Sequence, residues 1–381
     1  MRTIWLTTLL LLGGCAAGQS PETTAASAIA AAESADAVAL KRQLDREVPA
    51  MLARHDVPSA AAAYLSNGEI RWTANYGERA PGEPAGPDTL YNIASVTKAI
   101  VAETAMRLAA AGRIALHEPM ASVYVDPDLT DEPRARAITP AMAMSHRTGF
   151  AENWRSEMPD GKLAISWQPG TRSAYSGENF DYLARFLERV EGADLQTLAS
   201  EAVLRPASMS DTWFTPHPSW RGRVAMVRGR DGSLRLPDRS EQASGADDVH
   251  TTIGDFSLFL RSAIRAQGLT PAIERSRATI YDDQVAQACP PGVIPAELCP
   301  EHTGFGLGWM IYDSGKNRFL VHNGKDWGER AIALFEPEKR YGIAIFTSGA
   351  NGRSVISEIL ALAVPDKKLN ALVAAEARFD R

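Results

Sequence analysis

The spacing of apolar residues predicts a helix and then a β-hairpin near the start of the chain. Apolar side chains recur at helical spacing over residues 40–54, and Val57-Pro58 ends that pattern. Two short segments, 60–66 and 69–76, then flank Asn67-Gly68, a dipeptide typical of tight hairpin turns. This part of the chain is therefore expected to supply two neighbouring antiparallel strands.

A second group of strand-like segments lies near the other end of the chain. The three segments are 319–322, 330–335 and 341–347. We expect turns at Asn323-Gly324 and around 337–339, and a helix over 353–363. Strands at both ends and a mainly helical middle predict an α/β (α+β) fold, in which one antiparallel sheet from both termini is flanked by helices and a helical subdomain. The cleft between sheet and subdomain is the expected site.

The composition is that of a folded globular protein, and a small-molecule substrate is the default expectation. Of the 381 residues, 45% are hydrophobic and 23% are charged, which is sufficient for a sizeable core. The formal net charge is −6 without a long basic run, and this argues against a nucleic-acid partner. The length is compatible with one domain that carries an insertion, or with two domains.

The first residues have the pattern of an export signal. Met1-Arg2 is positively charged, residues 4–12 are apolar but too few to span a bilayer, and Leu12-Gly13-Gly14-Cys15 resembles the bacterial lipobox. We expect lipidation of Cys15, which would hold the protein to a membrane on the periplasmic side of the cell envelope. Ala16 resembles the outer-membrane pattern of such lipoproteins. Secretion without an anchor is the alternative.

The segment after the signal is rich in Ala, Ser and Thr, which is typical of a tether. The predicted organisation is a signal peptide over 1–14, a tether over 15–37, a folded domain over 38–365 and a C-terminal tail over 366–381.

Two further cysteines, Cys289 and Cys299, lie in a segment rich in Pro and Gly. In an oxidising compartment we expect them to form a local disulfide. A metal site is not expected there, because His302 is the one additional ligand nearby. The adjacent acids Asp247-Asp248 are typical of a solvated turn rather than a metal site. No metal and no cofactor is predicted.

Ser95 and Lys98 form a Ser-x-x-Lys motif at the start of a predicted buried helix that ends near Gly112. Free amides at a helix N-terminus stabilise a developing oxyanion, and a lysine one turn further points to the same face. A lysine held out of water there is suited to take the serine proton. The motif also arises by chance, as a capping serine and a solvated lysine.

Two other elements carry polar groups suited to acyl transfer. Tyr175 lies in a polar loop after a turn, and its phenol is suited to relay a proton to a leaving group. His322-Asn323-Gly324 ends a predicted strand, where Gly324 permits the close approach of a ligand. The amides of Ser95 and Lys325 are the candidates for an oxyanion hole. Each element alone is more typical of a structural role.

Together, the order and separation of the three elements resemble the serine β-lactamase and penicillin-binding protein superfamily. The resemblance is to its class C-like branch, which includes family VIII esterases, and three further segments share it: 144–149, 205–209 and 304–309. It extends over residues 38–362 and implies a β-lactamase/transpeptidase-like fold. By this resemblance Ser95 is the acylated nucleophile, Lys98 its general base and Tyr175 a second proton relay.

Two motifs depart from the family pattern. Many members have Tyr-x-Asn where this chain has Tyr175-Ser176-Gly177, so the amide that contacts both lysine and substrate is missing. Asn179 replaces it only if the loop turns differently. Many members have Lys-Thr-Gly where this chain has His322-Asn323-Gly324, which diminishes a cationic clamp for a carboxylate. The resemblance places these two motifs in the substrate cleft, and we expect Trp327 beside them.

The favoured interpretation is a serine hydrolase that acts through an acyl-enzyme on a small carboxylic ester or amide, with an esterase preferred. A β-lactamase, a D,D-carboxypeptidase or a D-aminopeptidase is the alternative within the same superfamily. A non-catalytic binding or sensing lipoprotein is the alternative from another class, although such a protein has no need of all three of Ser95, Lys98 and Tyr175. The oligomeric state is not predicted.

Overall fold

The computed structural model describes residues 21–151, 154–158 and 160–380, with the side chains of the first helix described from residue 35 onward. The predicted signal peptide over 1–14 and the lipidation site Cys15 lie outside these residues. Within the described ranges, no helix combines the length and the apolar character that a membrane span needs. The architecture is one large antiparallel sheet with helices on both of its faces.

The helices in chain order are α1 Pro21–His55, α2 Thr97–Ala110, α3 Pro140–Met144, α4 Glu178–Glu191, α5 Leu195–Ala199, α6 Arg205–Ala207, α7 Ile253–Ile264, α8 Pro271–Arg277, α9 Val285–Ala288, α10 Gly352–Ala363 and α11 Lys367–Phe379. The strands are β1 Ser59–Ser66, β2 Glu69–Ala80, β3 Glu83–Pro84, β4 Tyr91–Asn92, β5 Thr212–Trp213, β6 Val227–Arg228, β7 Leu234–Arg235, β8 His250–Thr251, β9 His302–Phe305, β10 Met310–Asp313, β11 Arg318–Lys325, β12 Arg330–Glu336 and β13 Tyr341–Thr347.

Strands from both ends of the chain form the large sheet, as the sequence pattern predicts. Its strand order is β3-β2-β1-β13-β12-β11-β10-β9. The first strand pairs with the last in antiparallel register, so that Ala60 lies opposite Thr347. The predicted hairpin is also present, with Ser66 opposite Glu69 across the Asn67-Gly68 turn. The segment between the two groups of strands supplies the helices from α2 to α9.

Two hydrophobic clusters cover the two faces of the sheet. Alternate residues of β1 divide between them, because successive side chains of a strand point to opposite faces. Ala61 and Ala63 belong to the cluster that includes α2, α4 and α7. Ala60 and Ala62 belong to the cluster that includes α1, α10 and α11. The helical middle of the chain and the terminal helices thus pack on opposite sides of one sheet.

The prediction of a turn at Asn323-Gly324 is wrong. Both residues continue β11, where they pair with Ile332 and Ala331 of β12, and the chain reverses over 326–329. Gly324 serves a packing requirement instead, since a Cβ at this position would lie 2.3 Å from the carbonyl oxygen of Ile93. Glycine therefore lets the strand approach the segment that leads to Ser95.

Helical structure extends beyond the domain limits expected from the sequence at both ends. α1 begins at Pro21, inside the predicted tether, and Ala37 is buried with its carbonyl accepting a hydrogen bond from Trp72 Nε1 at 2.9 Å. Within the predicted tail, α11 buries Leu369 and Leu372 in the core. Alanine has high helix propensity, but this segment has no obvious apolar stripe. A prediction from apolar spacing therefore misses the first extension.

Candidate active site

Ser95 lies in a 3₁₀ turn, Ala94–Val96, that leads directly into α2. Ala94 has a φ of +45°, a value that non-glycine residues rarely adopt. The amide of Ala94 donates to the side chain of Asn92 at 2.7 Å, which holds this conformation. A constrained backbone beside a hydroxyl at a helix N-terminus is typical of a positioned nucleophile.

Lys98 is fully buried one turn after Ser95. Its Nζ lies 2.9 Å from Ser95 Oγ and 2.7 Å from the carbonyl oxygen of Ala246. The carbonyl can only accept, so one N–H of the lysine is committed to it. A neutral amine in this position still has a lone pair that can receive the hydroxyl proton of Ser95. The structure therefore brings the predicted nucleophile and base into direct contact.

Aromatic rings enclose the lysine. The centroid of the Tyr175 ring lies 5.1 Å from Lys98 Nζ, and the rings of Trp154 and Phe180 lie at 5.8 Å and 6.0 Å. The phenol of Tyr175 makes no hydrogen bond to Ser95 or Lys98 among the described residues, so its role as proton relay stays a prediction. Hydrogen bonds of this kind often tighten only when a substrate is bound.

His146 is a site residue that sequence reasoning did not select. It is buried, and its ring packs on that of Tyr175 with 4.6 Å between centroids. Its Nδ1 accepts hydrogen bonds from the amide of Ser176 at 3.3 Å and from Asn179 Nδ2 at 2.9 Å. Burial holds the pKa of His146 well below its ordinary value, and the charge of Lys98 lowers it further. The neutral ring must therefore carry its proton on Nε2.

His322 is also neutral but has the opposite tautomer. Its Nδ1 lies 2.9 Å from the carbonyl oxygen of Asn323, which can only accept, so the proton is on Nδ1 and Nε2 keeps a lone pair. Burial, followed by the charge of Lys98, lowers the pKa of His322 to about 3. This position therefore offers a substrate no positive charge near neutral pH, in agreement with the expected weakening of a cationic clamp.

The indole of Trp154 fills the space beside Gly177. A Cβ built on Gly177 would lie 2.6 Å from Trp154 Cζ3. Asn179 does not substitute for the missing amide, because it lies in α4 and its side chain is bound to Thr148 and His146. An aromatic ring thus stands where the family pattern places a polar amide. The sequence does not predict this contact, because Trp154 and Gly177 are 23 positions apart.

A cavity of about 410 Å³ joins most of the predicted site residues. The predicted residues on its wall are Ser95, Tyr175, His322, Asn323 and Lys325, and His146 joins them. Gly324 lies against the backbone of Ile93, and its expected close approach to a ligand stays a prediction. The amides of Ser95 and Lys325 remain the candidates for the oxyanion hole, because β11 packs against the turn that holds Ser95.

The expectation that Trp327 lines the cleft is wrong for the described part of the cavity wall. The indole instead packs below the guanidinium of Arg235, 4.0 Å from the ring centroid, and against Gly229. The indole therefore contacts the β6–β7 hairpin. Sequence proximity to His322 gave no information on this direction.

The remaining residues named from the sequence are two cysteines and the acidic pair Asp247-Asp248, which directly follows the Ala246 carbonyl bound by Lys98. Cys289 and Cys299 form a disulfide with their Cα atoms 6.0 Å apart. No cluster of three or more potential metal ligands occurs in the described ranges. Asp247-Asp248 is half-buried rather than solvated. Burial, and then the charge of Asp247, raises the pKa of Asp248 to about 8.

Comparisons with known proteins identify the family and the fold of this chain. A sequence profile of the Beta-lactamase family matches residues 44–364. D-alanyl-D-alanine-carboxypeptidase/endopeptidase AmpH of Escherichia coli is 26% identical over 74% of this chain and 77% of its own length. Esterase EstB of Burkholderia gladioli is 30% identical over 57% of this chain and 62% of its own. The crystal structure of D-alanine carboxypeptidase AmpC from Burkholderia cenocepacia superposes with a TM-score of 0.69 at 18% identity, covering 86% of this chain and 98% of that one.

Proposed function

The chain belongs to the Beta-lactamase family of serine hydrolases, and we propose that this member hydrolyses a carboxylic ester through an acyl-enzyme on Ser95. The observation that carries the proposal is the 2.9 Å contact between Ser95 Oγ and the buried amine of Lys98. A hydroxyl and an amine in contact at a helix N-terminus supply nucleophile, base and oxyanion stabilisation together.

The proposed reaction has two steps. In the first, Ser95 Oγ bonds to the ester carbonyl carbon while Lys98 takes its proton, and the amides of Ser95 and Lys325 bind the oxyanion. The C–O bond to the alcohol then breaks, and Tyr175 passes the proton held by Lys98 to the leaving oxygen, which returns Lys98 to its neutral form. In the second, the oxygen of a water molecule bonds to the acyl carbon, the bond to Ser95 Oγ breaks, and one proton of the water passes to Ser95 as the carboxylic acid leaves.

Two features near Ser95 and Lys98 favour an ester over a β-lactam or a peptide. The indole of Trp154 takes the place of an amide side chain at position 177, so a substrate amide loses a hydrogen-bond partner there. His322 is neutral, so the carboxylate that β-lactams and D-alanyl peptides carry loses a cation. Similarity to esterase EstB supports this preference, whereas similarity to AmpH supports D,D-carboxypeptidase activity as the second candidate.

The test is hydrolysis of p-nitrophenyl butyrate, nitrocefin and a D-alanyl-D-alanine peptide by the purified full chain. We expect ester hydrolysis that exceeds the other two activities and disappears in Ser95→Ala, with an unchanged unfolding transition as the control. Faster hydrolysis of nitrocefin or peptide would reverse the preference. Equal background in wild type and Ser95→Ala on all three substrates would favour the binding or sensing alternative.

We also propose that a lipid on Cys15 anchors the protein in the cell envelope. Its support is the lipobox-like segment Leu12-Gly13-Gly14-Cys15. Labelled palmitate should enter the wild-type protein and not Cys15→Ser, and the variant should move from the membrane to the soluble fraction. Labelling of both proteins would contradict the assignment.

A further inference from the structure

The end of the last helix brings a carboxylate to the rim of the catalytic cavity. Asp380 follows α11 directly, and its side chain is buried. Its Oδ1 lies 2.5 Å from Lys325 Nζ and 3.3 Å from an amino nitrogen of Arg230. Its Oδ2 lies 2.5 Å from Arg330 Nε. One carboxylate therefore meets three cationic side chains.

This carboxylate is held in its ionised form. Burial on its own would raise the pKa of Asp380, but hydrogen bonds from Arg330 and Lys325 outweigh burial and keep it below its ordinary value. Arg330 is itself buried and also donates to the backbone carbonyls of Asp326 and Glu329, each at 2.7 Å. Its donors are thus committed within the protein, and it has little capacity left for a ligand.

Lys325 differs from the two arginines because it lines the cavity. It is one of the described residues that line the cavity around Ser95, and its side chain is 57% exposed. Without Asp380, its ammonium group would be available to an anion that enters the cavity. Arg353 also lines the cavity among the described residues, but its side chain is buried and paired with Glu376 of α11 at 3.2 Å.

We infer that Asp380 is a specificity-determining residue that occupies the position of a substrate carboxylate beside Lys325. The inference deepens the proposed ester hydrolysis and rests on it. An anionic substrate would have to displace Asp380 from Lys325 or bind close to it against like-charge repulsion. The cavity therefore selects substrates that carry no carboxylate at this end.

The test compares two esters that differ in one group. p-Nitrophenyl valerate and mono-p-nitrophenyl glutarate have acyl chains of equal length, and only the second ends in a carboxylate. We expect Asp380→Asn to raise the ratio of kcat/KM for the glutarate over the valerate ester by roughly tenfold, an effect that salt should reduce. Asp380→Glu, the charge-preserving control, should keep the low ratio. An unchanged ratio in a folded, valerate-active Asp380→Asn would overturn the inference.

A second variant covers the case in which Asp380→Asn does not fold. Asp380→Asn combined with Arg330→Met also removes the buried cation that would otherwise lose its partner. Lys325 keeps its place in this double variant, so the ratio of kcat/KM for the glutarate over the valerate ester should again rise by roughly tenfold. An unchanged ratio in a folded, valerate-active double variant would mean that the inference is wrong.

The proposed ester hydrolysis and this inference fail in distinguishable ways. Absence of Ser95-dependent turnover of the valerate ester would refute the former. Specificity can still be measured without turnover, from the affinities of phenylboronic acid and 3-carboxyphenylboronic acid, which add to a nucleophilic serine. Asp380→Asn should strengthen binding of the carboxylated boronate alone. Equal effects on both boronates would overturn the inference.

Discussion

Gly177→Asn restores the residue that the family pattern places two positions after the tyrosine, and the structure predicts that it will not fit. The backbone itself permits the change, because Gly177 has a φ of −63° and a ψ of −37°, which are ordinary values for any residue. The obstacle is the indole of Trp154. A Cβ at position 177 would lie 2.6 Å and 2.7 Å from two of its ring carbons.

The expected cost follows from that overlap. Non-bonded carbon atoms are in favourable contact at about 3.5–4.0 Å, so the indole must move by about 1 Å even for an alanine. Movement is resisted locally, since the amide of Trp154 donates to Glu157 at 3.0 Å and the amide of Arg155 donates to Glu178 at 2.8 Å. Overpacking of this kind costs about 1–3 kcal/mol, and we expect that loss in the free energy of unfolding.

Urea unfolding of four proteins measures the clash directly: wild type, Gly177→Asn, Trp154→Ala and the double variant. If the indole is the obstacle, Gly177→Asn should be destabilising alone and nearly harmless in the Trp154→Ala background. Gly177→Ala should show most of the cost of the asparagine, because the overlap begins at Cβ. The double variant should also gain nitrocefin hydrolysis relative to ester hydrolysis. A coupling energy below about 0.5 kcal/mol would refute the steric reasoning.

Three further predictions concern the base, the buried acids and the disulfide. Lys98→Ala should abolish acylation, which mass spectrometry would show as loss of the covalent adduct with a slow ester. It should also lower the free energy of unfolding by about 1–3 kcal/mol, because the carbonyl of Ala246 loses its donor. Full acylation by this variant would exclude Lys98 as the base. The pKa of Asp248 is raised to about 8 in the folded protein, whereas an unfolded aspartate titrates near pH ~4. Its contribution to the free energy of unfolding should therefore fall as the pH rises from about 4 to about 8. Urea unfolding at several pH values should show a weaker pH dependence for Asp248→Asn than for wild type. Equal pH dependence of the two proteins would contradict the raised pKa of Asp248. Replacing Cys289 and Cys299 together by serine should lower the free energy of unfolding by roughly 2–3 kcal/mol, and free thiols detected by mass after alkylation of the native protein would contradict the pairing.

Much of the fold can be predicted from the sequence, because it depends on local patterns of residues. The hairpin follows from the Asn67-Gly68 dipeptide between two strand-like segments, and the last strands follow from short apolar segments between turns. The sheet follows from the need of these strands to pair. The Ser95–Lys98 contact can also be predicted, because one helical turn brings residues three positions apart together. Local patterns failed where packing overrides them. Asn323-Gly324 has the composition of a turn, but it is held in β11 by pairing with β12.

The sequence by itself determined the sheet built from both ends, the helical middle, and the serine and lysine that begin the chemistry. Only the tertiary structure decided which side chains surround them. It placed the indole of Trp154 at Gly177, the ring of His146 beneath Tyr175, and the carboxylate of Asp380 on Lys325. The reason is physical: these contacts join residues from different elements. Their geometry depends on how helices and strands pack, and no spacing along the chain encodes it.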